Sequence, residues 1–153
     1  MAQDFSRQRI FVEHDSRFAD KVILVNSLRF NNATLKLDVI KEHKDDFIFV
    51  GLEQEHERFC EIAFDVEFYQ IKDALDFARI VAGSRGIVSN QTGLFAIAEM
   101  MKVPRVLMTN EFNCLTDGKL TCGFVNVHPC GGWFEVAQTT AKLKCSVDCL
   151  FDR

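Results

Sequence analysis

The chain lacks the features that would place it in a membrane or on a secretion pathway. Its longest apolar runs fall far short of the roughly 20 residues that a helix needs to cross a bilayer. The N-terminal residues 1–4 (MAQD) are polar and begin no apolar signal core. The 153 residues, 48% of them hydrophobic, suffice for one domain with a sizeable core. We therefore expect a cytoplasmic protein with a polar lead-in or linker over residues 1–20 and a single domain over residues 21–153.

The chain also has no surplus of positive charge. Its 18 Lys and Arg residues are outnumbered by 22 Asp and Glu residues, which gives a formal net charge of −4. A nucleic-acid-binding protein needs a cationic surface to neutralise phosphates, and no Lys/Arg-rich run supplies one here. The composition therefore argues against nucleic acid as a partner.

Paired zinc-knuckle cysteines are absent as well. Six cysteines are present, but only Cys145 and Cys149 lie close in sequence, at a helical spacing of four and with no neighbouring histidine. Zinc sites more typically show two CxxC-like pairs. An even number of cysteines would suit the disulfides of a small secreted protein, but nothing else in the sequence indicates secretion. We therefore predict free and mostly buried thiols that act as small hydrophobic side chains, and no bound metal.

What the sequence does contain is an alternation of short apolar runs with segments of helical periodicity. Five short β-rich runs are predicted to be strands: 22–26, 47–51, 66–70, 86–90 and 105–108. Several of them are almost uniformly apolar, which is typical of strands buried on both faces of a parallel sheet. Helices are predicted over 32–43, 53–63, 73–82, 93–102 and 133–147, and a further strand over 124–128. Asp73 is predicted to cap its helix, and Gly83 to end it in a left-handed conformation. This order predicts an α/β fold of Rossmann type, with three α/β/α layers and a mainly parallel sheet of five to six strands.

One strand-to-helix junction is the most informative candidate site, because ligands of open parallel sheets bind beyond the carboxyl ends of the strands. The apolar strand GIVSN runs through the polar turn Gln91-Thr92-Gly93 directly into a helix. The N–H groups and the positive dipole end of that helix suit a phosphate, and Gly93 lets a ligand approach the backbone closely. In a second interpretation, Thr92 only caps the helix and Gly93 only relieves crowding. Both interpretations remain open on the sequence.

Two charged residues extend this candidate site. Arg29 follows the first strand, and its guanidinium is suited to a phosphate, with a surface arginine beside an acidic residue as the alternative. Glu99 lies on the helix after the turn, where its carboxylate either accepts the hydroxyl groups of a ribose or lies in solvent. His56 and His128 have no partner carboxylate at a diagnostic spacing, and the GxSxG, P-loop, HExxH and GxGxxG motifs are missing. No catalytic residue is therefore assigned.

The segment AGSRGIVSNQTGLFAIAEMMKVPRVLM, residues 82–108, resembles part of a known enzyme family. It is similar to the C-terminal, nucleotide-sugar-binding domain of heptosyltransferase-like glycosyltransferases, which are built from two Rossmann domains (the GT-B type). The corresponding segment of that family is a strand, an SNDTG turn, a helix and a final xxPxVxL. Looser similarity extends upstream through VILVNSLRFNN and FIFVGLEQEHERFC, so the resemblance covers residues 21–108.

The resemblance implies a nucleotide-sugar donor at the carboxyl edge of the sheet. Asn90, Thr92 and Gly93 match the turn that approaches the diphosphate. Glu99 is similar to a glutamate that holds the donor ribose in the wider glycosyltransferase group. Arg29 occupies a place after the first strand where the family often has a phosphate-facing residue. No cofactor is implied, because the nucleotide sugar is the substrate.

The chain departs from the family at two donor-site positions. Gln91, which we still include in the phosphate-binding turn, stands where the family has an aspartate, and Ala96 stands where it has a histidine. The family also places its acceptor site and catalytic base in an N-terminal domain. We therefore expect a nucleoside-diphosphate- or nucleotide-sugar-binding domain that transfers a glycosyl group only with such a domain, or with a second copy of the chain.

A different class of function stays open beside it. In this alternative, the chain is a non-catalytic binding or assembly module that retains the glycosyltransferase fold without its chemistry. A response-regulator or flavodoxin-like domain is disfavoured, because the first two predicted strands lack the clustered acidic residues that hold Mg²⁺.

Overall fold

Strands and helices alternate along the chain, as the sequence predicts. The computed structural model describes residues 10–28, 35–109 and 132–153, together with the strand residues 115–116, 119–122 and 125–127. The strands are β1 (Val22–Val25), β2 (Phe47–Val50), β3 (Glu67–Tyr69), β4 (Gly86–Asn90), β5 (Arg105–Met108), β6 (Leu115–Thr116), β7 (Lys119–Cys122), β8 (Val125–Val127) and β9 (Phe134–Ala137). The α-helices are α1 (Glu53–Ile62), α2 (Ala74–Gly83), α3 (Gly93–Met101) and α4 (Thr140–Phe151), and two further segments are 3-10 helices, Ser16–Phe18 and Leu37–Asp46.

Six strands form one sheet in the order β3-β2-β1-β4-β5-β9, and every neighbouring pair in it is parallel. Strand β2 lies on one side of β1, and β3 lies outside β2. The chain then crosses to the other side of β1 and adds β4, β5 and β9. Strands β6, β7 and β8 form a separate antiparallel sheet. The predicted α/β fold with a parallel sheet of five to six strands is confirmed.

Helices cover both faces of the main sheet and make it the middle of three layers. Alternate residues of β1 show this: Val22 and Leu24 pack in the cluster with α1, α4 and the 3-10 helix Leu37–Asp46, whereas Ile23 and Val25 pack in the cluster with α2 and α3. Every residue of β1, β2, β4 and β5 is buried. Burial on both faces explains why these strands are almost uniformly apolar in sequence.

The helix α2 begins as predicted but ends for a different reason. The Asp73 carboxylate accepts a hydrogen bond from the Asp76 N–H at 2.8 Å, which confirms Asp73 as the cap. Gly83 is the last helical residue, and it is not among the glycines with a positive φ, so its predicted left-handed conformation is wrong. A Cβ at Gly83 would lie 2.0 Å from the carbonyl oxygen of Asp15. Glycine is needed there because the lead-in passes directly over the helix end.

The predicted helix over residues 133–147 is wrong in its first half. Residues Phe134–Ala137 form β9, which pairs with the outer side of β5, and α4 begins only at Thr140. Thr139 caps α4 by accepting a hydrogen bond from the Lys142 N–H at 3.1 Å. The pairing with β5 overrides the local preference, since a strand edge leaves unsatisfied N–H and C=O groups that another strand can satisfy. The predicted strand over 124–128 corresponds to β8.

The lead-in packs against the domain from residue 10 onwards. The Ile10 N–H donates to the Met100 carbonyl at 3.2 Å, and the Asp15 N–H donates to the Arg79 carbonyl at 3.0 Å. Val12 and Phe18 pack on the α2–α3 side of the sheet. Across the described part of the chain, the helices are too short or too polar to span a membrane.

The described cysteines are free, as predicted, but they are not buried. Cys60 is half-buried, and Cys145 and Cys149 are exposed. These two lie on the outer face of α4, whose inner face buries Leu143 and Val147. The prediction of mostly buried thiols is therefore wrong for them, because helical spacing alone does not say which face meets the core. The side chains of Cys114, Cys122 and Cys130 lie outside the described residues.

Candidate functional site

The sheet order identifies one place where a ligand is expected to bind. Strand β1 lies between β2 and β4, so the connections leave β1 and β4 in opposite directions across the sheet. Rossmann-type sheets bind ligands beyond the carboxyl ends of the two strands at this switch point. Here those ends are residues 26–28 and residues 90–93, which we call the switch-point edge. It contains four of the predicted site residues, Asn90, Gln91, Thr92 and Gly93.

Asn90 connects the two halves of the switch-point edge. It is the last residue of β4 and is fully buried. Its side-chain oxygen accepts a hydrogen bond from the Ser27 N–H at 2.9 Å, and its side-chain nitrogen donates to the Ser27 carbonyl at 2.8 Å and to Asn26 Oδ1 at 3.3 Å. These bonds use both ends of the amide. Asn90 therefore positions the turn after β1 against the turn after β4, rather than presenting its amide to a ligand.

Thr92 and Gly93 form the beginning of α3. Thr92 Oγ1 accepts a hydrogen bond from the Phe95 N–H at 3.1 Å, and the Thr92 carbonyl accepts one from the Ala96 N–H. The capping role of Thr92 is therefore confirmed, and its phosphate contact stays a prediction. The N–H groups of Gly93 and Leu94 come before the first intrahelical hydrogen bonds, so the helix itself gives them no acceptor.

The space in front of Gly93 is open. Gly93 is exposed, and a Cβ built on it would meet nothing within 4 Å. The predicted role of Gly93 in relieving crowding is thus not borne out by its surroundings. An open backbone at the N-terminal end of a helix is an arrangement that accommodates an anion.

The neighbouring helix ends at this edge differ from α3 in charge. The first turns of α1 and α2 contain carboxylates of their own, which compensate the positive end of the helix dipole. Glu55 accepts a hydrogen bond from the Leu52 N–H at 2.9 Å, and Asp73 caps α2. The first turn of α3 contains no acidic residue. An external anion at α3 would therefore meet no carboxylate from that turn. The first turn of α4 also lacks one, but it follows β9 at the far edge of the sheet.

The predicted site residue Gln91 is buried beside this open space. Gln91 is only 4% exposed, so its amide is enclosed by the protein and not presented at the surface. Arg29 lies outside the described residues, and its phosphate contact stays a prediction. The residue before it, Leu28, is 55% exposed.

The structure places Glu99 away from the switch-point edge. It lies in the last turn of α3, and its carboxylate accepts a hydrogen bond from Nε of Arg105, the first residue of β5. Glu99 is 8% exposed and Arg105 is fully buried, so the solvent-exposed alternative for Glu99 is wrong. The Arg105 guanidinium also donates to the Val103 carbonyl at 3.1 Å and lies 5.0 Å from the centre of the Phe134 ring.

This ion pair is at the opposite end of α3 from Gly93. Six residues of helix separate Glu99 from Gly93, which corresponds to ~9 Å along the axis. The pair joins the end of α3 to the amino end of β5, whereas ligands of such sheets bind at the carboxyl ends. Sequence reasoning missed Arg105. Its signal was a single cation at the start of an otherwise apolar strand, RVLM, which requires a buried counter-charge.

Exposed leucines lie beside the switch-point edge. Leu28 follows β1, Leu52 follows β2, and Leu75 is in the first turn of the helix that follows β3. Their side chains are 55%, 63% and 48% exposed, respectively. The carboxyl edge thus combines an open helix end with exposed apolar side chains at the adjacent turns.

His56, to which no catalytic role was assigned, makes contacts that support the fold. His56 Nε2 lies 2.7 Å from the Val66 carbonyl and 3.4 Å from Cys60 Sγ, and the ring stacks on Phe68. His128 lies outside the described residues. Neither histidine was predicted to be catalytic.

One described cluster has side chains of metal-ligating type. Glu42, His43 and Asp148 each offer a ligand atom, and these atoms lie within 4.8 Å of one another. The Lys144 ammonium donates to both carboxylates, with 2.9 Å to Asp148, and so already provides the positive charge between them. His43 also stacks on Phe151, at 4.2 Å between ring centres. The cluster is therefore a surface ion-pair network joining α4 to the 3-10 helix Leu37–Asp46.

Comparison with known proteins does not assign the chain to a family: no family model matches it, and no curated protein matches it.

Proposed function

We propose that this domain binds a nucleoside diphosphate, as part of a nucleotide sugar, with a phosphate group at the N-terminal end of α3. The observation that supports the proposal most is the open first turn of α3. Gly93 has no atom within 4 Å of its Cβ position, and the turn contains no carboxylate. This turn lies at the switch point of a six-stranded parallel sheet, where nucleotides bind in folds of this class.

Each residue of the switch-point edge has a distinct role in the proposal. The N–H groups of Gly93 and Leu94 donate to the phosphate oxygens, and the helix dipole adds a favourable field. Thr92 keeps the helix end in place through its hydrogen bond to Phe95. Asn90 holds the turn after β1 beside it, and this turn leads to Arg29, the predicted second phosphate ligand. The ribose contact of Glu99 stays a prediction, and the proposal does not require it.

Glycosyl transfer would use the same helix end. The departing diphosphate gains negative charge as the bond to the sugar breaks, and preorganised N–H donors stabilise such charge. A general base for the acceptor hydroxyl would come from an N-terminal acceptor domain or from a second copy of this chain, as the resemblance implies. A cytoplasmic location remains the prediction that accompanies this function.

The proposal is tested by thermal-shift titration of the full chain with ADP, GDP, UDP, CDP, dTDP and their common sugar conjugates. A ligand that binds only the folded state stabilises it by about 2.7 kcal/mol at a hundredfold excess over its Kd. We expect a selective shift with one base, which would also identify the donor.

Substitution at Gly93 separates phosphate binding from folding. Gly93→Asp and Gly93→Asn add side chains of nearly equal size into open space, but only the aspartate places a negative charge where the phosphate is expected. Because an acidic residue in a first helical turn is itself stabilising, Gly93→Asp should fold at least as well as Gly93→Asn. We expect the nucleotide shift to disappear in Gly93→Asp and to persist in Gly93→Asn. Equal binding by the two variants would contradict a phosphate at α3.

The second candidate function is the non-catalytic assembly module, and the exposed leucines favour it. Three apolar side chains, Leu28, Leu52 and Leu75, are exposed on one edge of the described domain. If no nucleotide shifts the melting temperature at millimolar concentration, this candidate replaces the first. The chain should then associate with itself or with a partner protein, and Leu52→Gln should weaken this association in analytical ultracentrifugation.

A further inference from the structure

Two exposed cysteines on α4 form a site that the nucleotide-binding proposal does not use. Cys145 and Cys149 are four residues apart, so they lie one above the other on the same helix face. Both are exposed and neither is in a disulfide. The two sulfur atoms are thus adjacent, accessible and held by an ordered helix.

The helix geometry favours a bridging ion over a disulfide. Residues four apart on a helix have Cβ atoms about 5–6 Å apart. A disulfide requires Cβ atoms about 3.8 Å apart, so its formation would distort α4. By contrast, two Zn–S bonds of about 2.3 Å at a tetrahedral angle separate the sulfur atoms by ~3.8 Å, which two neighbouring thiols on one helix face can reach.

The charges around the thiols are also compatible with a cation. Although Cys149 is exposed, desolvation by neighbouring atoms raises its pKa, followed by the Cys145 thiol and then by the negative charges of Asp152 and Glu135. The ammonium of Lys142 on the same helix is paired with Glu135 at 2.8 Å. The negative charges of Asp152 and Glu135 therefore favour a cation on the sulfur atoms, and Glu135 already compensates the charge of Lys142.

We propose that Cys145 and Cys149 together bind a soft divalent cation of the Zn²⁺ and Cd²⁺ type as a two-sulfur chelate on the surface of α4. Thiolates prefer such ions, and water or a neighbouring carboxylate completes the tetrahedral coordination. Binding releases the thiol protons to solvent and involves no oxidation. The site is independent of the switch-point edge, so either proposal can fail without the other.

The chelate is tested by protection from alkylation in the full chain. Trypsin cleaves after Lys144, so one peptide, residues 145–153 (CSVDCLFDR), contains both thiols and no other cysteine. We expect Cd²⁺ or Zn²⁺ to slow the reaction of N-ethylmaleimide with both cysteines of this peptide while Cys60 reacts as before. Loss of one thiol removes the chelate, so Cys145→Ser and Cys149→Ser should each weaken the protecting ion's apparent affinity on the order of 100-fold.

A matched variant controls for the number of thiols. The double variant Ala141→Cys, Cys145→Ser keeps two exposed thiols on α4 but places them eight residues and ~12 Å apart, beyond the reach of one ion. It should lose protection as the single variants do, and Cys60→Ser should retain it. Protection that persists in the double variant, or that is equal in urea-unfolded protein, would overturn the proposal, because single thiols or an unstructured pair would then account for the binding.

Discussion

Breaking the Glu99–Arg105 pair is expected to be the most destabilising charge removal in the described core. Arg105 is fully buried at the start of β5, and Glu99 is 8% exposed in the last turn of α3. Removing one partner of such a pair leaves the other charge in a poorly solvated position and costs about 3–5 kcal/mol. We therefore expect Glu99→Leu and Arg105→Met each to lower the free energy of unfolding by about 4 kcal/mol, a large share of the roughly 5–15 kcal/mol typical of a domain.

The double variant shows whether charge pairing is the cause. With Glu99→Leu and Arg105→Met combined, no unpartnered charge of the pair remains, and apolar replacements of similar volume are often neutral or stabilising. The double variant should thus recover most of the lost stability. Urea unfolding followed by circular dichroism measures this: with a slope of about 2 kcal/mol per molar urea, each single substitution shifts the midpoint by about 2 M. Additive losses in the double variant would refute the reasoning.

The same double variant tests the predicted ribose contact of Glu99. Its fold is expected to survive, so nucleotide titration of the double variant reports on the site alone. If the only role of Glu99 is to pair with Arg105, the double variant binds the nucleoside diphosphate with the same affinity as the unsubstituted chain. If Glu99→Leu removes binding while leaving the free energy of unfolding intact, then Glu99 contacts the ligand and its pairing with Arg105 is of minor importance.

Three further substitutions test the packing around the sheet. Gly83→Ala forces the lead-in away from α2 and should cost about 1–3 kcal/mol, with faster proteolysis near residue 15 as the readout; unchanged proteolysis would contradict the close approach. Ser146→Ala removes a buried hydroxyl that has no hydrogen-bond partner among the described residues. The free energy of unfolding, measured with urea, should therefore stay the same or rise by up to about 1 kcal/mol. A clear loss of stability would show that the hydroxyl has a partner. Burial opposes a low pKa at Asp148, but hydrogen bonds from His43 and Lys144 lower it. The stabilisation that ionised Asp148 gives the fold is therefore complete above a pH of about 4, and it is lost as the pH falls through the lowered pKa. Asp148→Asn should thus lower the free energy of unfolding by at most about 1 kcal/mol at pH 7 and leave it unchanged in strong acid.

Local pattern was sufficient to predict the buried strands of the main sheet and two of the helix caps. The strands β4 and β5 have the predicted bounds, and the caps at Asp73 and Thr92 are as predicted, because capping involves residues only three apart. Uniformly apolar runs can be read from sequence because burial on both faces leaves no room for polar side chains. The α/β class and the position of the polar turn between β4 and α3 follow from these local features.

The remaining features depend on contacts between distant segments. Residues of β9 became a strand because β5, nearly 30 residues earlier, offered an open edge, and no local pattern records that edge. Glu99 and Arg105 pair across the end of α3, and Asn90 binds Ser27 over 63 residues, so their roles appear only when the sheet order is known. The sequence by itself determined the strands β1, β2, β4 and β5, which are buried on both faces, and the caps of α2 and α3, because these features depend on local pattern. The tertiary structure decided which helix ends are open, since exposure depends on what packs against a residue and not on its neighbours in the chain.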